Sequence, residues 1–177
     1  MRISALGSYS FVVAAIAVLP TIAIAAPPAT SNTARHDSGE APGFAYYNTP
    51  NRGHTVVSGK DVTRLAQISV LLTKPSDVLV QFTSQLSTVS NTGCPCSVRA
   101  SLATDGGEPV VVKRINLSNG TGDAAAHVPD RQPLDGSFVF ALPAGRHEIS
   151  LSVQQVDGSA DKLQSFYANL QAIVFPS

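Results

Sequence analysis

The chain has no tryptophan, its one methionine is Met1, and only two cysteines occur in 177 residues. Two cysteines make at most one internal disulfide, so a densely cross-linked scaffold is excluded and the fold must rest on a hydrophobic core. Charge is sparse too: charged residues make up 14% of the sequence, twelve basic against twelve acidic. A balanced, weakly charged chain lacks the field that holds nucleic acid or an anionic membrane surface, so no nucleic-acid partner is expected. No helical period recurs, and beyond residue 25 no run approaches the roughly 18 apolar residues of a spanning helix. Internal repeats are missing, as are dinucleotide and phosphate-loop fingerprints and a Gly-x-Ser-x-Gly elbow. Ser118-Asn119-Gly120-Thr121-Gly122 is a glycine-rich turn with nothing to activate Ser118.

What is present begins with an export signal. Arg2 supplies a positive start, Phe11 to Leu19 an apolar stretch, and Ala23-Ile24-Ala25 a small-residue cleavage pattern. Pro20 breaks the apolar run below spanning length, so cleavage after Ala25 is expected rather than retention as an anchor. Residues 1–25 are then the signal peptide, 26–43 a disordered lead-in rich in Pro, Ser, Thr and Ala, and 44–177 one folded domain. Removing the signal leaves a net charge of −1 and a chain with no membrane segment, expected to be secreted or periplasmic and bacterial in style. Asn116-Leu117-Ser118 and Asn119-Gly120-Thr121 would be glycosylation acceptors in a eukaryote.

The domain alternates at a period of two. Phe138 to Val153 reads as a β-hairpin: Phe138, Phe140 and Leu142 share one face, Pro143-Ala144-Gly145 makes the turn, and Ile149, Leu151 and Val153 share the apolar face of the second arm. Phe44, Tyr46 and Tyr47 are expected to dock as a first edge strand, followed by a short extended piece from His54 to Ser58. Further strands carry Ala66, Ile68, Val70 and Leu72; Val78, Val80, Phe82 and Leu86; and Val98, Ala100 and Leu102. Asp105-Gly106-Gly107 is a hairpin turn. Val110 to Leu117 starts apolar on both faces, which fits a centrally covered strand or a bulge. Ser118 to Gly136 is a long loop or crossing connection, with room for a short strand near Ala125 to Val128. In the last strand, Phe166, Ala168, Leu170, Ala172 and Val174 are expected on one face. About eight strands separated by turn signals predict an all-β, antiparallel two-sheet sandwich of jelly-roll type.

Three segments carry a likeness to a known family. These are Ile68 to Phe82 broken at Lys74-Pro75-Ser76-Asp77, the Leu142-Pro143-Ala144-Gly145 turn before an Ile-x-Leu-x-Val strand, and Asn169-Leu170-Gln171-Ala172-Ile173-Val174-Phe175-Pro176. Together they resemble uncharacterised secreted and phage-tail jelly rolls of the C1q/TNF-like type, over roughly Phe44 to Ser177. The resemblance implies a jelly roll whose first and last strands pair, often assembled as a homotrimer and used for binding. It carries no functional residue over to this chain.

Among candidate sites, Cys94-Pro95-Cys96 is the sharpest. In an oxidising compartment the pair is expected to bridge, since two residues of separation just reach the roughly 4.4–6.8 Å between Cα atoms that a disulfide needs. A free or intermolecular pair and a soft-metal site such as Cu(I) are the alternatives, the latter needing His127 or His147 to approach in space. His36, His54, His127 and His147 show no ligand spacing, and His147 reads as a surface or half-buried imidazole. Asp123, Asp130 and Asp135 in the long loop do not follow the spacing of a calcium loop. Glu148 with an aspartate is the one glycosidase-like pair that can be drawn, although a solvated strand carboxylate is the default. No catalytic residue, metal or cofactor is assigned. The expected function is a non-enzymatic binding or assembly module for a protein or carbohydrate ligand, acting through loops and a polar sheet face rich in Gln, Ser and Thr. The alternative is a small exported hydrolase or metal-handling protein using Cys94, Cys96 or the loop carboxylates.

Overall fold

The computed structural model describes residues 39–49, 54–88, 93–118, 131–160 and 162–176. Ten strands and no helix lie among them: β1 (Gly39–Ala41), β2 (Phe44–Asn48), β3 (His54–Ser58), β4 (Thr63–Leu72), β5 (Ser76–Thr88), β6 (Cys96–Thr104), β7 (Val110–Leu117), β8 (Gln132–Leu142), β9 (Gly145–Asp157) and β10 (Lys162–Pro176). They form two antiparallel sheets. Sheet A runs β1-β2-β10-β5-β8, with β3 also paired to β10, and sheet B runs β4-β9-β6-β7.

The pairing is nested. β6 pairs with β7, β5 with β8, β4 with β9 and β2 with β10, each pair enclosing the previous one in sequence and lying in the other sheet. A long hairpin wrapped in this way is a jelly roll, and the additional pairs β5·β10 and β6·β9 complete the two sheets. β2, which holds the Phe44 strand expected first, and the last strand β10 do pair, through Ala45 opposite Ala172.

Period-two alternation explains the core. From sheet B, Val98, Ala100, Leu102, Ile149, Leu151 and Val153 are buried; from sheet A, Val78, Val80, Phe82, Leu86, Leu170 and Ala172 meet them. Each fully buried side chain of this size contributes roughly 1.5–3 kcal/mol of transfer free energy, so a one-residue slip that turned a row outward is strongly disfavoured. Space is tight where Gly136 of β8 lies opposite Phe82, because a Cβ added there would stand 2.9 Å from the ring.

Several expectations change. Phe138 to Val153 is not a hairpin: β8 belongs to sheet A and β9 to sheet B, so Pro143 and Ala144 carry the chain from one layer to the other. Both arms alternate as expected, but their apolar faces look at each other across the core instead of sharing one face. The last strand breaks its own pattern, with a register shift between Phe166 and Asn169 and Tyr167 at φ +54°. Leu163 and Ser165 therefore point inward on one side of the bulge, and Ala168 and Leu170 on the other. Phe166 lies under the Arg131 guanidinium instead, whose Cζ is 4.5 Å from the ring centre. β7 is an edge strand rather than a central one, and its bulge falls opposite Ala100 and Ser101. β8 begins at Gln132, inside the stretch expected to be irregular, and β1 lies in the expected lead-in. The strand proposed near Ala125 to Val128 and the export signal lie outside the described residues.

Candidate interaction face

Each sheet turns one face inward, so the two outward faces are what the protein offers. On sheet A a single transverse row reads Phe44 (β2), Ile173 (β10), Leu79 (β5) and Val139 (β8), four apolar side chains on four adjacent strands. Phe44 and Val139 are 37% and 51% exposed, and Phe175, further along β10, is 51% exposed. The next row is Tyr46, Gln171, Gln81 and Ser137; the one after is Asn48, Asn169, Thr83 and Asp135. Gln171 Nε2 donates to Gln81 Oε1 at 2.8 Å and Asn169 Nδ2 to Thr83 Oγ1 at 3.1 Å, so neighbouring strands hold these amides in place. Phe44 and Tyr46 stack with ring centres 5.7 Å apart. Together they line a groove of about 400 Å³ with Asn48, Gln81, Thr83, Asn169 and Gln171.

The outward face of sheet B is of another kind. Arg99, Gln154, Ser101 and Ser152 occupy its middle, with Arg64 and Arg114 beside them on the flanking strands. Within these rows the one charged group on sheet A is Asp135, on the edge strand β8, with Asp77 in the row beyond the apolar one, whereas sheet B carries the arginines. Contact surfaces concentrate aromatic and aliphatic side chains and exclude charge from their centre, which singles out sheet A.

The structure brings some of the sequence candidates together. Cys94 and Cys96 are joined by a disulfide with Cα atoms 4.4 Å apart, both buried, where the chain enters β6. Among the described residues no cluster of three or more His, Cys, Asp or Glu side chains is placed to hold a metal ion. His36, His127, Asp123 and Asp130 lie outside the described residues, and His54 begins β3. Asp135 is not a loop residue: it stands exposed on β8 opposite Thr83. Glu148 faces solvent on β9, its backbone N–H donating to Asp105 Oδ1 at 2.8 Å.

His147 is neither half-buried nor at the surface. It is 7% exposed, with Nδ1 2.8 Å from Asp105 Oδ2 and Nε2 2.9 Å from the Pro143 carbonyl oxygen. A carbonyl only accepts and an ionised carboxylate only accepts, so both ring nitrogens must carry hydrogen and the imidazolium is the form that fits. The bond to Asp105 raises the His147 pKa above 6.5 against the opposing pull of burial, and the Pro143 carbonyl adds to the rise. Asp105 is lowered below 3.8, chiefly by His147 and then by the Glu148 N–H. Sequence reasoning assigned Asp105 to a turn, and it is one: Asp105 and Gly106 take φ +54° and +68°, the pattern of a type I′ hairpin. Its second role comes from His147, 42 positions away, and no local signal announces it.

No protein-family profile matches the sequence, and no curated protein matches it. Among solved structures, the Eiger TNF from S. frugiperda is similar at 11% identity and a TM-score of 0.45, over 76% of this chain and 92% of that one. The VP2 subviral particle of infectious bursal disease virus is similar at 9% identity and a TM-score of 0.40, over 73% of this chain and 32% of that one. The insecticidal delta-endotoxin Cry8Ea1 from Bacillus thuringiensis is similar at 9% identity and a TM-score of 0.39, over 70% of this chain and 20% of that one. The jelly-roll assignment rests on the strand order of the chain itself.

Proposed function

We propose that this protein is an exported, non-enzymatic module that assembles with copies of itself, as a homotrimer, through the outward face of sheet A. The observation that carries the proposal is the Phe44-Ile173-Leu79-Val139 row, an apolar band crossing four strands on a face whose charges stand at its periphery. Leaving such a band in water costs free energy that a matching apolar surface recovers. At the β8 edge the band ends on Val139, 51% exposed. Export is supported by the Arg2, Phe11 to Leu19 and Ala23-Ile24-Ala25 pattern and by the Cys94–Cys96 bond.

The test is sedimentation of the processed chain at micromolar concentration. A species of three chain masses that dissociates on Val139→Asp, with an unchanged β-type circular dichroism spectrum, supports the proposal. A monomer at the highest soluble concentration removes it. A second reading rests on the groove: stacked Phe44 and Tyr46 beside fixed amides suit the faces and hydroxyls of a neutral sugar. Val139 does not line the groove, so a sugar bound by the Val139→Asp variant would favour that reading over assembly.

A further inference from the structure

The middle of sheet B holds an unbalanced feature. Arg99 on β6 and Arg114 on β7 are direct register partners, so two full positive charges occupy one cross-strand pair. Like charges directly opposite destabilise a sheet. Neither guanidinium meets a carboxylate among the described residues. Arg99 gives Nε and Nη2 to one neutral oxygen, Gln154 Oε1, at 3.1 and 2.6 Å, and Arg114 gives Nε to Ser97 Oγ at 2.6 Å. Gln154 is itself pinned, because its Nε2 donates to the Lys60 carbonyl at 2.8 Å. The amide therefore fixes the Arg99 guanidinium without neutralising it and leaves the Nη1 hydrogens unused.

Arg99 lines a depression of about 170 Å³ to which Ser101, Ser152 and Gln154 give polar groups and Val62, Ala103 and Pro109 apolar ones; Arg114 stands outside it. Ser101 and Ser152 are register partners on the same face, and their hydroxyls have no side-chain partner among the described residues. Arg64 stands opposite Ser152 on the next strand. One oriented guanidinium, two unused hydroxyls and a hollow of this size suit one oxoanionic group, and the volume holds only about six waters at roughly 30 Å³ each. We infer that the outward face of sheet B binds a sulfate or carboxylate group at Arg99, with Ser101 and Ser152 as hydroxyl donors and Arg114 adding its charge from the neighbouring strand without touching the group. Such a group relieves the repulsion between the two arginines on binding, so its occupancy stabilises the fold. The site shares no residue with the face proposed for assembly.

The test follows amide and arginine side-chain NMR signals and the melting temperature of the processed chain in sodium sulfate, against sodium chloride at matched ionic strength. Saturable shifts at Arg99, Ser101 and Gln154 and a sulfate-specific rise in melting temperature are expected. Arg99→Gln should weaken the response at least tenfold, and Arg114→Gln, which removes only a neighbouring charge, should weaken it less. Sulfate also stabilises proteins nonspecifically, and the Arg99→Gln/Arg114→Gln double variant supplies that baseline. In chloride at low ionic strength Arg114→Gln should melt no lower than the natural chain, which keeps the test open should Arg99→Gln fold poorly. A sulfated disaccharide bound tenfold more tightly than inorganic sulfate assigns the group to an acidic glycan, and equal affinity assigns it to the free anion. Identical responses to sulfate and chloride, or a full response in the double variant, would overturn the inference.

Discussion

The His147 clip sets a pH dependence whose sign the geometry fixes. His147 joins the β8 to β9 crossing to the β6 to β7 turn by bonding the Pro143 carbonyl and the Asp105 carboxylate at once, and only the imidazolium makes both bonds. Because the folded His147 pKa is raised above 6.5, its contribution is fully present below that value and is lost as pH climbs through the raised pKa. Because the folded Asp105 pKa is lowered below 3.8, its contribution is fully present above that value and is lost as pH falls through the lowered one. The clip is therefore at full strength between pH 3.8 and 6.5 and weakens on the alkaline side. A hydrogen bond involving a charged group contributes about 1.5–3 kcal/mol when buried. The Asp105 side chain is half exposed, so solvent screening reduces the pair and a total of about 2 kcal/mol is the reasonable figure. For a chain of this size that corresponds to roughly 4–8 °C in melting temperature. The perturbation is His147→Gln, which puts a hydrogen-bonding amide in place of the imidazole and has no titrating group. Melting curves from pH 5 to 9 should show the natural chain losing its advantage as pH rises while the variant changes little. An alkaline loss of equal size in His147→Gln, or an NMR titration placing the His147 pKa at or below 6.5, would refute the reasoning.

Three further outcomes follow from the packing. Gly136→Ala places a methyl 2.9 Å from the buried Phe82 ring, which must shift to admit it, and should cost about 1–3 kcal/mol by urea denaturation. Leu151→Ala, at a fully buried site, should cost about 2–5 kcal/mol, whereas Leu79→Ala on the outward face should cost the folded monomer under about 1 kcal/mol. Replacing both Cys94 and Cys96 by Ala should lower stability by only about 1.5 kcal/mol, because a bond between residues two apart removes little freedom from the unfolded chain; a loss above twice that figure would mean the bond acts through native packing.

Which segments form strands could be read from alternation alone, and so could the inward face of β4, β5, β6 and β9, because burial at every second position leaves its mark on each residue in turn. Partner choice could not. Alternation tells a strand which side is apolar but not which other strand lies beside it, so Phe138 to Val153 looks the same as a hairpin or as a crossing between layers. A bulge is equally silent: Phe166 keeps the apolar character of its neighbours although Tyr167 has turned it to the other side. The candidate face on sheet A was visible only as scattered Gln, Ser and Thr, since the row of Phe44, Ile173, Leu79 and Val139 draws on strands up to 129 residues apart in sequence.

From the order of residues alone came an all-β chain with two layers, an export pattern, a local cysteine pair and a tight Asp105-Gly106 turn, because each depends on neighbours within a few positions. The folded chain alone decided that sheet A would gather an apolar band, that two arginines would face each other on sheet B, and that His147 would be held between Asp105 and Pro143. Those features arise where the nested pairing sets distant strands side by side, and proximity of that sort leaves no trace in local pattern.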